Sequence, residues 1–384
     1  MKILHTSDWH LGRMFHGKHM TEDQAWVLEE FIKLVQDVKP HAVVIAGDIY
    51  DRSVPPIEAV ELLDHVMSKI LIEHKTPVVA IAGNHDSPER LSFGHKLLAY
   101  RGLHVIGSYR ADIEPVVLED EYGDVCFSPV PYAEPAIVGA GLQLEQIPDV
   151  DGAMQAAINR CMEQVPQGVR KVAVGHAFLA GGQESESERP LSVGGSGAVN
   201  WNHFTPFNYV ALGHLHRPQS IGRDSIRYSG SLLKYSFSEV AHNKSISLVE
   251  LDSKGNVEVE QVYLRPKRDL RRVEGLLEEI LTNGHEDKQK EDYLVVSLQD
   301  KGAILDAIGK LRKVYPNVLH IERPTMGQEQ EDMCKPQGDY KSVQDKDLFS
   351  AFFQQVTNEP MSEEYNSALA AGLEEFYKSQ REVK

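Results

Sequence analysis

Residues 42–51 of the chain read AVVIAGDIYD, an apolar run followed by a glycine and an acidic motif. An unbroken apolar run of this length is typical of a strand buried on both faces of a sheet. Comparable runs lie on both sides of it along the chain, and apolar residues at helical spacing separate the first three. This alternation predicts an α/β core. The predicted strands are Lys2–Thr6, Ala42–Ala46, Pro77–Ala82, Leu103–Ile106, Val125–Phe127, Val172–Val174, Tyr209–Leu212 and Ser225–Ser229.

Short polar motifs follow five of these strands. They are Asp8-Trp9-His10, Gly47-Asp48-Ile49-Tyr50-Asp51, Gly83-Asn84-His85-Asp86, Gly175-His176 and Gly213-His214-Leu215-His216. In an open α/β sheet, residues just beyond the carboxyl ends of the strands converge on one crevice. We therefore expect side chains from five separate segments to form a single site. The glycines before Asp48, Asn84, His176 and His214 are expected to let the backbone turn sharply off each strand and approach the site closely.

The residue types in the motifs suit a pair of divalent cations. Carboxylate oxygens, amide oxygens and imidazole nitrogens are ligands of hard-to-borderline metals such as Mn²⁺, and thiolates are absent from the motifs. Asp8 and His10 are two residues apart, which places both side chains on one side of an extended segment, and the same spacing relates His214 to His216. Two metals ~3.5–4 Å apart need a bridging group, and we assign the Asp48 carboxylate to this role.

The motifs, taken together and in this order, resemble those of the calcineurin-like metallophosphoesterase superfamily. Asp8-Trp9-His10 or Gly175-His176 alone would carry little weight, whereas Gly83–Asp86 and Gly213–His216 are stronger signals. Two longer strings, His5–Gly12 and Ala211–His216, resemble more specifically the SbcD family of nuclease subunits of bacterial SbcCD complexes. The resemblance extends over nearly the whole chain. It implies an α/β fold consisting of a β-sandwich flanked by helices, a small α/β capping domain and a C-terminal helical tail.

The resemblance also implies roles for individual residues. One metal would be held by Asp8, His10, Asp48 and His216, and the other by Asp48, Asn84, His176 and His214. His85 corresponds to the catalytic histidine of the family, close to the phosphate without being a ligand. Asp86 would orient His85 through a hydrogen bond, and Asp51 would support the site from behind its ligands.

The function that the resemblance implies is that of a manganese-dependent DNA nuclease. It would combine 3′→5′ exonuclease action on double-stranded ends with endonuclease action on single strands and hairpins. The two metals would activate a water for attack on the phosphodiester. The implied partners are an SbcC-type ATPase and a second copy of the chain in a homodimer, acting in DNA repair, recombination and replication.

Two other functions remain open from the residues alone. The metal site would equally serve a phosphodiesterase or phosphatase acting on small molecules or phosphoproteins. A non-catalytic scaffold is the third alternative, although a complete ligand set together with His85 speaks against it. The cap and the tail favour the nuclease, because a small-molecule enzyme has no need of them.

The domain organisation follows from shifts in composition. We assign residues 1–268 to the nuclease domain, 269–325 to the cap, 326–341 to a polar linker and 342–384 to the tail. Val273–Leu281 has the spacing of an amphipathic helix, and Tyr293–Ile321 predicts a β-α-β unit. In the tail, apolar stripes cover Leu348–Val356 and Tyr365–Phe376. They would pack on their own domain or, as the resemblance implies, dock onto the coiled coil of the ATPase.

Composition places the chain among cytoplasmic proteins. Its three cysteines are scattered, and no apolar run approaches the ~20 residues that span a bilayer, so no membrane association is expected. The formal net charge of −17 counts against coating of nucleic acid by bulk charge.

Several other residues have a structural or a functional reading. His5 is expected in the core. A loop with Arg13, His16 and His19 is either solvated or in contact with a DNA backbone. The glycine-rich Ser192–Gly197 lacks the Lys-Ser/Thr of a nucleotide-binding P-loop, so ATP hydrolysis by this chain is not expected.

Overall fold

The computed structural model describes residues 1–146, 148–191, 197–300, 302, 304–323, 349–350, 353–354 and 360–382. The chain divides into two compact units, Met1–Asp269 and Leu270–Lys384. The predicted linker 326–341, most of the glycine-rich Ser192–Gly197, and Leu348, Phe352 and Val356 of the tail lie outside the described ranges. The subdivision of the second unit into cap, linker and tail therefore stays a prediction.

The first unit contains two six-stranded sheets, each with a parallel centre. The first sheet, in spatial order, is β16 (Val257–Tyr263), β15 (Ser245–Leu251), β1 (Lys2–Thr6), β4 (Ala42–Ala46), β5 (Val78–Ile81) and β6 (Leu103–Ile106). The second is β13 (Gln219–Ile221), β14 (Arg223–Tyr228), β12 (Tyr209–Gly213), β9 (Arg170–His176), β8 (Gly123–Val130) and β7 (Val116–Asp120). Short two-stranded pairs are β2 (Met14–Phe15) with β3 (Lys18–His19) and β10 (Phe178–Leu179) with β11 (Ala198–Val199).

The two sheets face each other across an apolar core. Ile3, Val44 and Val79 of the first sheet are fully buried in the same cluster as Phe127 and Val172 of the second. Burial on this scale is the dominant favourable term in folding. The predicted α/β sandwich is therefore confirmed.

Helices cover the outer faces of the sandwich. They are α1 (Thr21–Val38), α2 (Ile57–Ser68), α3 (Pro88–Leu91), α4 (His95–Ala99), α5 (Pro135–Gly141) and α6 (Val150–Gln164). In α1, Leu28, Phe31 and Val35 are fully buried, as their spacing predicted. On the other side, Ala157 and Ile158 of α6 pack into the cluster beneath the second sheet.

The second unit is built on a three-stranded parallel sheet. Its order is β17 (Leu270–Gly275), β18 (Tyr293–Leu298) and β19 (Val318–Glu322). Helices with bounds in the described part of this unit are α7 (Leu277–Gly284), α8 (Ala307–Arg312) and α9 (Glu363–Glu382). Among the described residues, no helix is long and apolar enough to cross a membrane.

The expected helix over Val273–Leu281 is partly wrong, because its first residues belong to a strand. Val273 lies in β17, which pairs in parallel with β18, and the helix begins only at Leu277. Gly275 separates the two elements with a φ of 147°. The ladder to β18 is a contact distant in sequence, and it outweighs the local helical spacing.

Candidate metal centre

The side chains of all five motifs converge where strands of the two sheets end. β1, β4 and β5 deliver the first three motifs from one sheet, and β9 and β12 deliver the other two from the facing sheet. Nearly all of the expected ligands are buried, and Asn84 is partly exposed. The side chains brought together are Asp8, His10, Asp48, Asn84, His176, His214 and His216.

One group of donors consists of Asp8, His10 and His216. Ligand atoms of the three lie within 4.8 Å of one another. His10 Nε2 and His216 Nε2 face each other at 3.0 Å, and both rings are excluded from solvent. Imidazole nitrogens turned toward one point in this way suit a shared cation.

A second group lies beside the first. Asp8, Asp48 and His176 also offer ligand atoms within 4.8 Å of one another. Asn84 Oδ1 lies 2.9 Å from His176 Nε2, and the ring centroids of His176 and His214 are 5.5 Å apart. Amide oxygen, carboxylate and imidazole donors therefore meet at a second point.

Asp48 lies between the two groups. Its Oδ2 is 3.7 Å from His10 Nε2 and 3.5 Å from His176 Nε2. Its Oδ1 accepts a hydrogen bond from the backbone N–H of His85 at 2.8 Å, which fixes the carboxylate plane. One carboxylate oxygen is thus directed toward both donor groups, as a bridging ligand requires.

The donors fit divalent cations on a second ground, their unmet hydrogen-bonding capacity. Among the described residues, His214 Nε2 is buried without a hydrogen-bond partner. A buried polar atom left unpaired costs about 1–3 kcal/mol, so such atoms call for an explanation. A cation coordinated by imidazole supplies one.

The backbone at the site is strained at four of the candidate ligands. Asp8, His10 and Asp48 have φ values of 52°, 47° and 50°, and His214 has 104°. Positive φ at a residue other than glycine costs on the order of 1–3 kcal/mol and is found at functional sites. The expectation that the glycines make the turns holds for Gly47, whose φ is 90°.

Gly213 and Gly83 permit close approach instead of a turn. A Cβ on Gly213 would lie 1.9 Å from the carbonyl oxygen of Ala46, and one on Gly83 would lie 2.2 Å from Asp48 Oδ1. Gly213 thus lets the strand ends of the two sheets approach each other, and Gly83 does the same for the loops after the neighbouring strands β4 and β5.

His85 stands at the edge of the donor groups. Its Nδ1 donates to the carbonyl oxygen of Asp51 at 2.8 Å, and its Nε2 lies 3.9 Å from Asp48 Oδ2. Its ring centroid is 4.6 Å from that of His10. The bond to Asp51 leaves Nε2 as the atom available to a bound phosphate.

The expectation that Asp86 orients His85 is wrong. The Asp86 carboxylate accepts hydrogen bonds from the backbone N–H groups of Ile49, Tyr50 and Gly83, at 3.1, 2.9 and 2.9 Å. Its two oxygens are taken by these amides, because the loops after β4 and β5 expose donors that need partners. Asp86 ties the two loops together, and the main chain of Asp51 orients His85.

Burial sets the protonation of the site. It raises the pKa of Asp8 well above its usual value, with the Asp48 charge adding to the effect, and raises the pKa of Asp48 to about 6. Burial also lowers the pKa of His176 and of His216 to about 4. The imidazoles are therefore neutral and keep free lone pairs, while burial penalises the negative charge of the carboxylates. Divalent cations would offset that penalty.

Residues that the motifs did not indicate surround His216. Ser187, Glu188, Glu239 and Lys244 contact its ring or its backbone. Lys and Glu are almost never buried unless paired. Their pairing depends on the fold, so sequence spacing carries no signal for it.

Part of the loop after the first motif contacts residues of the protein interior. Arg13 Nη1 donates to Asp51 Oδ1 at 3.2 Å, and its guanidinium lies 5.0 Å from the ring centre of Tyr235. Arg13 therefore braces the site. His5 is a core residue, as expected, with Nδ1 2.8 Å from the Tyr209 hydroxyl.

Comparisons with known proteins agree with this geometry. The family model described as calcineurin-like phosphoesterase matches residues 1–218. The SbcD C-terminal model, described as the type 5 capsule protein repressor C-terminal domain, matches residues 266–357. The SbcD subunit of the nuclease SbcCD of Staphylococcus epidermidis is 34% identical over 367 residues, which cover 94% of this chain and 95% of that protein.

A crystal structure of TT1561 of Thermus thermophilus matches at 16% identity and a TM-score of 0.39, covering 68% of this chain and 98% of that one. At that TM-score it adds nothing to the assignment. The catalytic-domain model covers more than half of this chain, and the staphylococcal relative aligns along almost all of it. The chain belongs to the SbcD family of nuclease subunits, within the calcineurin-like phosphoesterases.

Proposed function

We propose that this chain cleaves DNA with two Mn²⁺ ions held by the convergent motifs, as the nuclease subunit of an SbcCD-type complex acting in DNA repair, recombination and replication. As a member of the SbcD family it is a metal-dependent phosphodiesterase. The proposed ligand sets are Asp8, His10, Asp48 and His216 for one ion, and Asp48, Asn84, His176 and His214 for the other. The position of Asp48 Oδ2 between His10 and His176 carries the assignment.

The choice of Mn²⁺ rests on the donor set. Oxygen donors from carboxylate and amide groups are combined with imidazole nitrogens, and thiolates are absent from the motifs. Such mixed sites suit manganese better than calcium, which prefers oxygen alone, or structural zinc, which favours sulfur.

The chain's own residues would divide the work of hydrolysis. When bound, the metal pair would lower the pKa of a water molecule and would place positive charge beside the phosphate oxygens. His85, held by Asp51 at Nδ1, would in its doubly protonated form present Nε2–H to the phosphate, pass that proton to the leaving alkoxide and remain as the neutral imidazole protonated at Nδ1. A positioned acid of this kind contributes typically ~10²–10⁴-fold.

The test of this function compares the purified chain alone with the chain co-expressed with an SbcC-type ATPase. Linear and hairpin duplexes are incubated with each, with manganese and ATP varied, and cleavage products are resolved by size. We expect manganese-dependent cleavage of both substrates by the complex. Hydrolysis of generic phosphate esters without DNA cleavage would instead favour the small-molecule phosphoesterase.

The proposed homodimer has a candidate surface in residues 93–100. Phe93, Leu97 and Tyr100 are 86%, 77% and 91% exposed. Large apolar side chains that stand this far out of a soluble unit mark association sites. We propose that this segment packs against its counterpart in a second copy.

Leu97→Glu is expected to convert the dimer to a monomer, because it would place an unpaired charge in the interface. The dissociation constant of the dimer should rise at least about tenfold, measured by sedimentation equilibrium. Leu144→Glu is the matched control, since Leu144 is also exposed, at 41%, in a different segment. An unchanged dimer in Leu97→Glu argues against this surface.

The proposed docking of the tail onto the ATPase rests on helix α9. Tyr365 is 60% exposed, and Leu369 and Leu373 follow it at helical spacing and are only partly buried. An apolar stripe left open in this way suits a partner helix, such as one strand of a coiled coil.

Leu369→Glu is expected to prevent co-purification of the partner ATPase, because it charges the centre of the stripe. Ala371→Glu is the control, since Ala371 is exposed two residues further along, on the opposite side of the helix. Equal recovery of the ATPase with both variants would place the docking surface elsewhere.

A further inference from the structure

His216 is held at its ring and at both of its backbone polar groups. The ring Nδ1 lies 2.6 Å from Ser187 Oγ. Its backbone N–H donates to Glu188 Oε1 at 2.7 Å, and its carbonyl oxygen accepts from Lys244 Nζ at 2.7 Å. None of these partners belongs to the motifs, so the sequence offered no reason to connect them with the metal centre.

The hydrogen bonds of Ser187 determine which nitrogen of His216 carries the proton. Ser187 Oγ donates to Glu239 Oε1 at 2.5 Å, and an ionised carboxylate can only accept. A hydroxyl has a single proton, so Ser187 must accept from His216 Nδ1–H. That tautomer leaves a lone pair on Nε2, which faces His10 Nε2 at 3.0 Å.

Glu239 is itself fixed as an acceptor. Its side chain is fully buried, and Lys244 Nζ contacts Oε2 at 2.5 Å. The backbone N–H of Tyr235 and the hydroxyl of Ser236 donate to Oε1 at 3.2 and 3.0 Å. A buried carboxylate with a paired cation and several donors stays ionised. The two hydrogen bonds from His216 through Ser187 to Glu239 therefore keep one direction.

We propose that Glu239, acting through the Ser187 hydroxyl, is a positioning residue that holds His216 in its Nδ1-protonated tautomer and so sets the affinity of the Asp8–His10–His216 donor group for a divalent cation. Partners behind metal-binding histidines typically contribute 10–100-fold to metal affinity. The inference rests on the proposed role of His216 as a ligand.

The first test is a calorimetric titration of the full-length, metal-free chain with Mn²⁺. Ser187→Ala removes the link between His216 and Glu239 but leaves the Glu239–Lys244 pair intact. We expect one of two manganese equivalents to bind about 10–100-fold more weakly and the other to be unchanged. Ser236→Ala is the matched control, because Ser236 donates to the same Oε1 without touching His216.

A double-mutant cycle with His216→Ala separates this inference from the proposed ligand set. If His216→Ala leaves both manganese equivalents intact, the ligand assignment fails. If it removes one equivalent while Ser187→Ala binds both as tightly as the wild type does, the ligand assignment stands and the positioning role fails. The expected result is that Ser187→Ala has no further effect in the His216→Ala background.

A spectroscopic measurement tests the tautomer without metal or activity. In the ¹⁵N spectrum of the metal-free chain with labelled histidine, His216 is expected to show a protonated Nδ1 and an unprotonated Nε2. Its signals are assigned by their loss in His216→Ala. Ser187→Ala should shift them toward a mixture of tautomers, whereas Ser236→Ala should not. A wild-type His216 protonated at Nε2 would overturn the proposal.

Discussion

Asp48→Asn is expected to abolish manganese binding and DNA cleavage and, at the same time, to make the metal-free chain more stable. Asp48 Oδ2 is the proposed bridge between the two donor groups, 3.7 Å from His10 Nε2 and 3.5 Å from His176 Nε2. A neutral amide cannot supply the negative charge that a shared ligand of two dications needs. Both metal equivalents should therefore weaken together, unlike the single-site effect expected of Ser187→Ala.

The gain in stability follows from the same burial. Burial raises the pKa of Asp48 from 3.8 to about 6, so the folded, metal-free chain binds this proton more tightly than the unfolded chain does. The stabilising contribution of the protonated carboxyl is complete below pH 3.8 and is lost as the pH rises through about 6. Above neutral pH the buried charge opposes folding, and asparagine removes it. The gain should be on the order of 1–3 kcal/mol, because one pKa unit corresponds to about 1.4 kcal/mol.

Thermal unfolding of the wild type and of Asp48→Asn measures both effects. With chelator present, the variant should unfold at a higher temperature, by a margin that grows from about pH 4 to pH 7. With excess Mn²⁺ the order should reverse, since only the wild type gains from binding. Asp64→Asn on α2 is the control for the loss of a carboxylate outside the site. A metal-free variant less stable than the wild type at neutral pH would contradict this account.

The convergence of the candidate ligands could be predicted from the sequence because they lie in short motifs at strand ends. The order Asp8, Asp48, Asn84, His176 and His214 follows successive strands, and parallel strand ends meet at one edge whatever the loops between them do. A site whose residues follow local spacing and this rule of sheet topology can therefore be predicted from the sequence alone.

The parts that could not be predicted depend on contacts between distant residues. The end of β17, from Val273 on, was predicted as the start of a helix because its pairing partner β18 comes later in the sequence. The family resemblance implied a hydrogen bond from Asp86 to His85, but the Asp86 carboxylate accepts instead from backbone amides of two loops. The supports of His216 come from segments around residues 187, 239 and 244, and the fold alone brings them together.

His85→Gln is expected to keep both manganese equivalents and lose most of the cleavage activity. His85 lies outside both proposed ligand sets, with Nε2 3.9 Å from Asp48 Oδ2 and Nδ1 bound to the Asp51 carbonyl. Glutamine can keep a hydrogen bond but cannot deliver a proton to a leaving alkoxide near neutral pH. The turnover number should therefore fall by ~10²–10⁴-fold, with the manganese stoichiometry unchanged.

The measurement pairs calorimetric Mn²⁺ binding with single-turnover cleavage of a linear duplex by the complex with the ATPase. His65→Gln is the control, since His65 is 47% exposed on α2, where it pairs with Glu29. Loss of a metal equivalent in His85→Gln would instead make His85 a ligand. Its ring centroid lies 4.6 Å from that of His10, which is close enough to allow that role, and its bond to Asp51 leaves Nε2 free for it. Full activity with both metals bound would remove His85 from the mechanism. The proton for the leaving group would then have to come from solvent, and His85 would contribute only to the packing around the site.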